Sequence, residues 1–276
     1  MRCGHRATEG RGPWTRTWRL GAVALVLSSL IGCGGDEPST PAAGITVAAA
    51  SDLRPAFEEL GRRFTQETGT PVTFSFGSSG LLREQIVNGA PFDVFASADD
   101  ASVDAVVQAG AGDPDTRLEY GRGRLALRVA EGKPQPGTVG GLAEAEYDRI
   151  AIANPDHAPY GRAAVQALES ADVGDEVADR VVYGENVSDA LRLVASGNAD
   201  VGIVALSLVL AEGGPVVLVP EELHEPLRQT LVVLGTGEQA RTARAFATYV
   251  DGAVGRQVLL RHGFALPGEA LPALDG

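Results

Sequence analysis

Gly44-Ile45-Thr46-Val47-Ala48-Ala49-Ala50-Ser51 is the stretch on which the fold turns. β-Branched and small apolar residues run up to a serine, and Leu53, Phe57, Leu60 and Phe64 follow at three- and four-residue spacing. The first pattern reads as a buried strand, the second as the apolar face of a helix ending near Gly69. The same order of events recurs at Pro71-Val72-Thr73-Phe74-Ser75-Phe76-Gly77-Ser78-Ser79-Gly80, followed by Leu81-Leu82-Arg83-Glu84-Gln85-Ile86-Val87. A helix N-terminus carries unpaired N–H groups and about half a positive charge, and a serine there adds a hydroxyl. Two such ends aimed at one point form an anion site without any Lys or Arg. Ser51 and Ser79 are equally open to a plainer reading as N-caps, a position serine favours.

Strand-like and helix-like segments alternate through the rest of the chain, which marks an α/β fold with largely parallel sheets. Phe92–Ala96, Arg124–Val129, Ile150–Ala153, Val181–Tyr183, Asp200–Val204, Pro215–Val219 and Thr230–Leu234 read as strands. Helices are expected around Ser102–Ala109, through Ala163 to Leu168, through Leu191 to Val194, and around Ala240–Val250 and Gly255–Arg261. Four strand-to-helix corners carry small, polar or Pro/Gly-shaped sequence, those ending at Ser51, Ser79, Tyr160 and Val187. Ligands of open α/β sheets bind outside the carboxyl ends of strands, where such corners gather.

Residues 1–32 read as a lipoprotein signal peptide. Arg2, Arg6, Arg11, Arg16 and Arg19 form a basic leader, and Leu20–Ile31 is apolar but too short to span a bilayer comfortably. Leu30-Ile31-Gly32-Cys33 resembles a bacterial lipobox, a pattern in which the cysteine, here Cys33, is acylated and becomes the mature N-terminus. Residues 33–43 then form a flexible polar tether. Cys3 lies inside the removed segment, so no disulfide is expected in the mature chain. The reading is an extracytoplasmic protein held to the cell membrane by its lipid anchor.

The formal charge of the 276-residue chain is −13, and loss of an arginine-rich leader makes it more negative. Such a surface argues against nucleic acid and against electrostatic adhesion to anionic lipid. It does not argue against a buried anion, because distant charges are screened within about 8 Å at physiological ionic strength. About 240 mature residues suffice for one large domain or two smaller ones.

Other chemistries find little support. Asp93, Asp99 and Asp100 are open to reading as a hard-cation site, but capping and solvation account for them more simply. His157 beside Asp156 invites an acid–base role, yet no nucleophile is placed by sequence to partner it, and a solvated loop histidine is the simpler expectation. Ser51-Asp52 lacks the Gly-x-Ser-x-Gly elbow of hydrolases. Gly77-Ser78-Ser79-Gly80 lacks a P-loop lysine, and Lys133, the only lysine, sits in a distant loop. No cysteine–histidine spacing fits zinc.

With these corners in view, the chain resembles the periplasmic molybdate-binding proteins of ABC importers from about Gly44 to Ala265. Ala48-Ala49-Ala50-Ser51 and Phe76-Gly77-Ser78-Ser79 match the first two anion-binding corners of that family. Gly89-Ala90-Pro91-Phe92-Asp93-Val94-Phe95-Ala96-Ser97-Ala98-Asp99 matches its most recognisable stretch. Asn154-Pro155-Asp156-His157-Ala158-Pro159-Tyr160-Gly161 and Glu185-Asn186-Val187 resemble the third and fourth corners, and Gly202-Ile203-Val204 and Arg261-His262-Gly263-Phe264 also fit.

The resemblance implies a two-lobed type II binding-protein fold with two hinge crossovers, near Tyr120–Arg124 and near Arg228–Leu231. Lobe one would hold residues 44–120 and 230–276, and lobe two 121–229. It implies that Ser51 and Ser79 donate hydroxyls and N–H groups to a tetrahedral oxyanion, molybdate or tungstate, and that Tyr160 and Val187 donate mainly backbone N–H groups. It further implies a monomeric, non-catalytic protein with no cofactor and no free metal ion, which hands its ligand to an importer permease. Some relatives carry a tyrosine after the Gly202-Ile203-Val204 strand whose hydroxyl reaches the anion; here that position is Ala205. Two alternatives stand beside this reading: a binding protein for another oxyanion such as sulfate, and an extracytoplasmic hydrolase using a serine with His157. A site made only of donors disfavours protonated phosphate, whose O–H needs an acceptor.

Overall fold

The computed structural model describes residues 44–269, Ala145 aside; the leader, Cys33 and the tether lie outside them. Along the chain β1 (Ile45–Ala50) leads to α1 (Arg54–Thr68), β2 (Val72–Gly77) to α2 (Ser79–Val87), and β3 (Val94–Ser97) to α3 (Asp100–Gln108). β4 (Leu118–Gly123) and β5 (Leu125–Val129) follow, then β6 (Ile150–Ala153), α4 (Pro159–Ser170), the short α5 (Gly174–Val177), β7 (Val181–Gly184) and α6 (Val187–Ala195). β8 (Val201–Ala205), α7 (Leu206–Glu212), β9 (Val217–Leu218), β10 (Leu227–Val233), α8 (Gly237–Asp251) and α9 (Ala253–Arg261) complete it.

Two five-stranded sheets result, in the orders β2-β1-β3-β10-β4 and β7-β6-β8-β5-β9. In each, three parallel strands are followed by an antiparallel one: β10 against β3 and β4, β5 against β8 and β9. The chain passes from the first sheet to the second through Arg124 alone and returns between Leu218 and Leu227. This is the two-lobed type II binding-protein architecture. The strands refine the boundaries expected from sequence, since residues 121–123 and 227–229 belong to strands of the first sheet. They pair there as β4 against β10, with a bulge between Gln229 and Thr230.

Local chemistry explains the frame. β1 is interior, and all but one of its residues are buried, so it reads as a near-continuous apolar run. α1 buries Phe57, Leu60 and Phe64 and stops at Gly69, whose φ of +73° is the left-handed cap that glycine adopts without steric cost. Phe57 and Phe64 meet Phe246 of α8 edge-on at 6.2 and 5.4 Å, which ties the returning helix to the first lobe.

Three elements escaped the sequence reading: β4, the short α5 and α7. β4 mixes glycines and charges, which an edge strand tolerates because only one side needs a full ladder. α7 shows no regular apolar stripe, because its first four residues, Leu206 to Val209, are all buried. The strand expected at Pro215–Val219 is only the two residues of β9, and β10 starts at Leu227, three residues early.

Candidate functional site

Each of the four corners delivers its residue to the opening of a helix. Ser51 starts a 3-10 turn ahead of α1, Ser79 is the first residue of α2, Tyr160 the second of α4, and Val187 the first of α6. Neither serine is the cap. The residue before α2 is Ser78, whose Oγ accepts from Leu81 N, while no side chain caps the turn at Ser51. Ser79 Oγ instead accepts from the buried Ala98 N–H at 3.0 Å, and Ser51 Oγ accepts from Ser188 N at 3.4 Å. A hydroxyl whose oxygen takes a backbone N–H still has its hydrogen to donate elsewhere.

All four residues line one cavity between the lobes, together with Ala50, Asp52, Gly77, Ser78, Ala98, Ala158, Pro159 and Asn186. It is small, about 10 Å³, room for about one water-sized body in this arrangement. Some first-turn N–H groups are already taken: Leu81 by Ser78, Gly80 by His157 O, and Ser188 and Asp189 by the Asn186 side chain. The N–H groups of Ser79, Tyr160 and Val187 take no part in those bonds. The first lobe supplies Ser51 and Ser79, the second Tyr160 and Val187.

The lobes touch around this cavity. Ser78 Oγ lies 2.7 Å from His157 Nδ1 and donates to His157 O at 3.0 Å, and Gly80 N donates to the same carbonyl at 2.9 Å. Ser188 Oγ donates to Ser51 O, and Ser207 Oγ to Asp52 O. Arg162 pairs with Asp99 across the cleft. His157 is therefore a half-buried bridge between lobes rather than a solvated loop residue. Its serine partner is turned to capping α2, not to an open substrate position.

The aspartates considered as a cation site are dispersed into structural roles. Asp93 accepts from Thr46 N at 2.7 Å, Asp99 caps α3 and pairs with Arg162, and Asp100 faces Arg228 at 4.0 Å. Ala205 is fully buried, precedes α7, and lies outside the set lining the cavity.

Asp52 was missed by the sequence reading, which expected only donors. It is fully buried, lines the cavity, and accepts from Gln229 Nε2 at 2.9 Å. Burial pushes its pKa up to about 7, against the opposing effects of the Tyr160 hydroxyl and Gln229. The Tyr120 and Tyr160 hydroxyls are held well above the ordinary tyrosine range, by burial first and then by the Asp52 charge. Gly123 fits beneath this group because any Cβ there would strike the Tyr160 hydroxyl. An acidic residue in a helix's first turn is too ordinary a pattern to reveal such a role.

A two-lobed α/β fold closed over a small cavity at four helix openings is the arrangement of a solute-binding protein. The chain belongs to the bacterial extracellular solute-binding protein family, whose model matches residues 45–265; it is a binding protein, not an enzyme. It is 35% identical over 253 residues to the molybdate-binding protein ModA of Rhodobacter capsulatus, covering 90% of this chain and 97% of that one. The solved periplasmic molybdate-binding protein of Azotobacter vinelandii superposes with a TM-score of 0.76 at 33% identity, over 81% of this chain and 99% of that one. The Mycobacterium tuberculosis sulfate-binding protein SubI shares the fold, with a TM-score of 0.69 at 18% identity over 82% and 88% of the two chains.

Proposed function

We propose that the protein binds molybdate, or the chemically similar tungstate, between its lobes and delivers it to the permease of an ABC importer. The observation that carries this reading is the meeting of four helix-opening corners, two from each lobe, around one small cavity. A tetrahedral oxyanion is a compact solute made of acceptors, which suits these donors; it is larger than the cavity in this arrangement, so the lobes part to seat it. Ser51 and Ser79 are assigned hydroxyl and N–H donation, Tyr160 and Val187 backbone donation. The names of the relatives supply the choice of molybdate. The protein works as a monomer, outside the cytoplasm, tethered through an acylated Cys33.

Calorimetry of the mature chain against molybdate, tungstate, sulfate and phosphate tests the ligand. Tight binding of the first two, with a matching rise in melting temperature by mass action, is expected. Equal affinity for all four refutes the selectivity. For the anchor, Cys33→Ser should abolish membrane retention, and unchanged retention rejects the lipobox.

A further inference from the structure

Resting on the oxyanion reading above, we propose that Asp52 couples ligand binding to proton uptake: the protein holds its dianion with Asp52 protonated, and holds it more weakly once that proton is lost. Asp52 follows Ser51, is one of the residues lining the same cavity, and has no solvent exposure, its carboxyl being turned to Gln229. Its Oδ2 accepts from Gln229 Nε2, but Oδ1 has no partner among the described residues, and neither do Gln229 Oε1 and the Tyr120 hydroxyl. A proton on Asp52 adds a donor to a buried group that holds two unpaired acceptors. It also removes a negative charge from a residue bordering a cavity that receives two more, in buried surroundings that screen poorly.

The neighbours leave the carboxyl as the titrating group. Facing it are Tyr120 from β4 and Tyr160 from α4, both held in the phenol form by burial, and the neutral Gln229 from β10. Ser207 of α7 donates to the Asp52 backbone carbonyl. On the adjoining helices Arg54 is engaged with Glu58 and the Phe76 ring, and Asp189 with Asn186 and Arg192. Burial already brings Asp52 to about 7, and a dianion beside it raises that further. Between the two values one proton enters per anion bound, so affinity falls about tenfold per pH unit.

The test is calorimetry of the mature chain with sodium molybdate from pH 6 to 9, in paired buffers of different ionisation enthalpy. Molybdate stays a dianion over this range, so any proton taken up belongs to the protein. At pH 8 a measurable proton uptake per anion is expected, with binding weakening at each higher pH. Asp52→Asn should bind with no proton uptake and a flat pH profile, while His157→Gln should keep the uptake. Molybdate binding without uptake in the parent overturns this inference alone, whereas absence of binding at every pH overturns the assigned ligand and this inference together. Uptake that survives in Asp52→Asn, or vanishes in His157→Gln, also overturns it. Should Asp52→Asn not fold, the parent and His157→Gln measurements decide.

Discussion

Gly80→Ala separates lobe closure from folding. Gly80 is the second residue of α2 and sits against the other lobe. A Cβ there would lie 2.6 Å from His157 O, 2.9 Å from His157 Cβ and 3.0 Å from its Cα. The nearest of these is backbone and ordinary contact begins near 3.5 Å, so His157 must retreat by roughly 1 Å. That retreat disrupts the Gly80 N to His157 O bond and the Ser78–His157 contacts, each worth about 0.5–1.5 kcal/mol. Closure is thus penalised by about 1–3 kcal/mol, or about 5- to 150-fold in affinity for any ligand held between the lobes. Folding costs the chain more freedom with glycine than with alanine, but at this first-turn position the gain from alanine is below the roughly 0.5–1 kcal/mol of a helix interior. The expected signature is an unchanged or raised melting temperature without ligand, together with clearly weaker molybdate binding by calorimetry. Affinity within twofold of the parent would show that His157 and α2 need not meet for the ligand to be held.

Three further outcomes follow from the site. Ser79→Ala should lose about 1.5–3 kcal/mol of molybdate binding, the range for a hydrogen bond to a charged group, and about 1–3 kcal/mol of stability because Ala98 N is left unpaired; calorimetry and denaturant unfolding read the two separately. Folding raises the Asp52 pKa from 3.8 to about 7, so the native state binds more protons than the unfolded one, and stability of the ligand-free protein falls as pH rises through that window. Asp52→Asn should remove that fall, on the order of 4 kcal/mol, in unfolding titrations at pH 4 and pH 8. Ala205→Tyr should overfill a closed site and destabilise by roughly 1–3 kcal/mol, with weaker binding; a tighter complex would show that the added hydroxyl reaches the anion.

Much of the fold was legible because its strands are short apolar runs and its helices carry regular stripes. Ser51, Ser79, Tyr160 and Val187 could be marked because a strand running into a helix start is a local event, written in neighbouring residues. What escaped was non-local. That Ser78 rather than Ser79 caps α2 depends on which hydroxyl Ala98 reaches. The bridge from His157 to Ser78 joins residues 79 positions apart, and Gln229 meets Asp52 across 177. β4 was hidden because an edge position relaxes the demand for apolar alternation, and α7 because burial of its first four residues in a row erases periodicity.

The near-continuous strand through Arg124 sets how the closed protein can give up what it holds. One crossover is a single residue and the other spans eight, so the first acts as a pivot and the second as slack. The available motion is a swing about that pivot, and a swing withdraws the contacts of one lobe together rather than peeling them off singly.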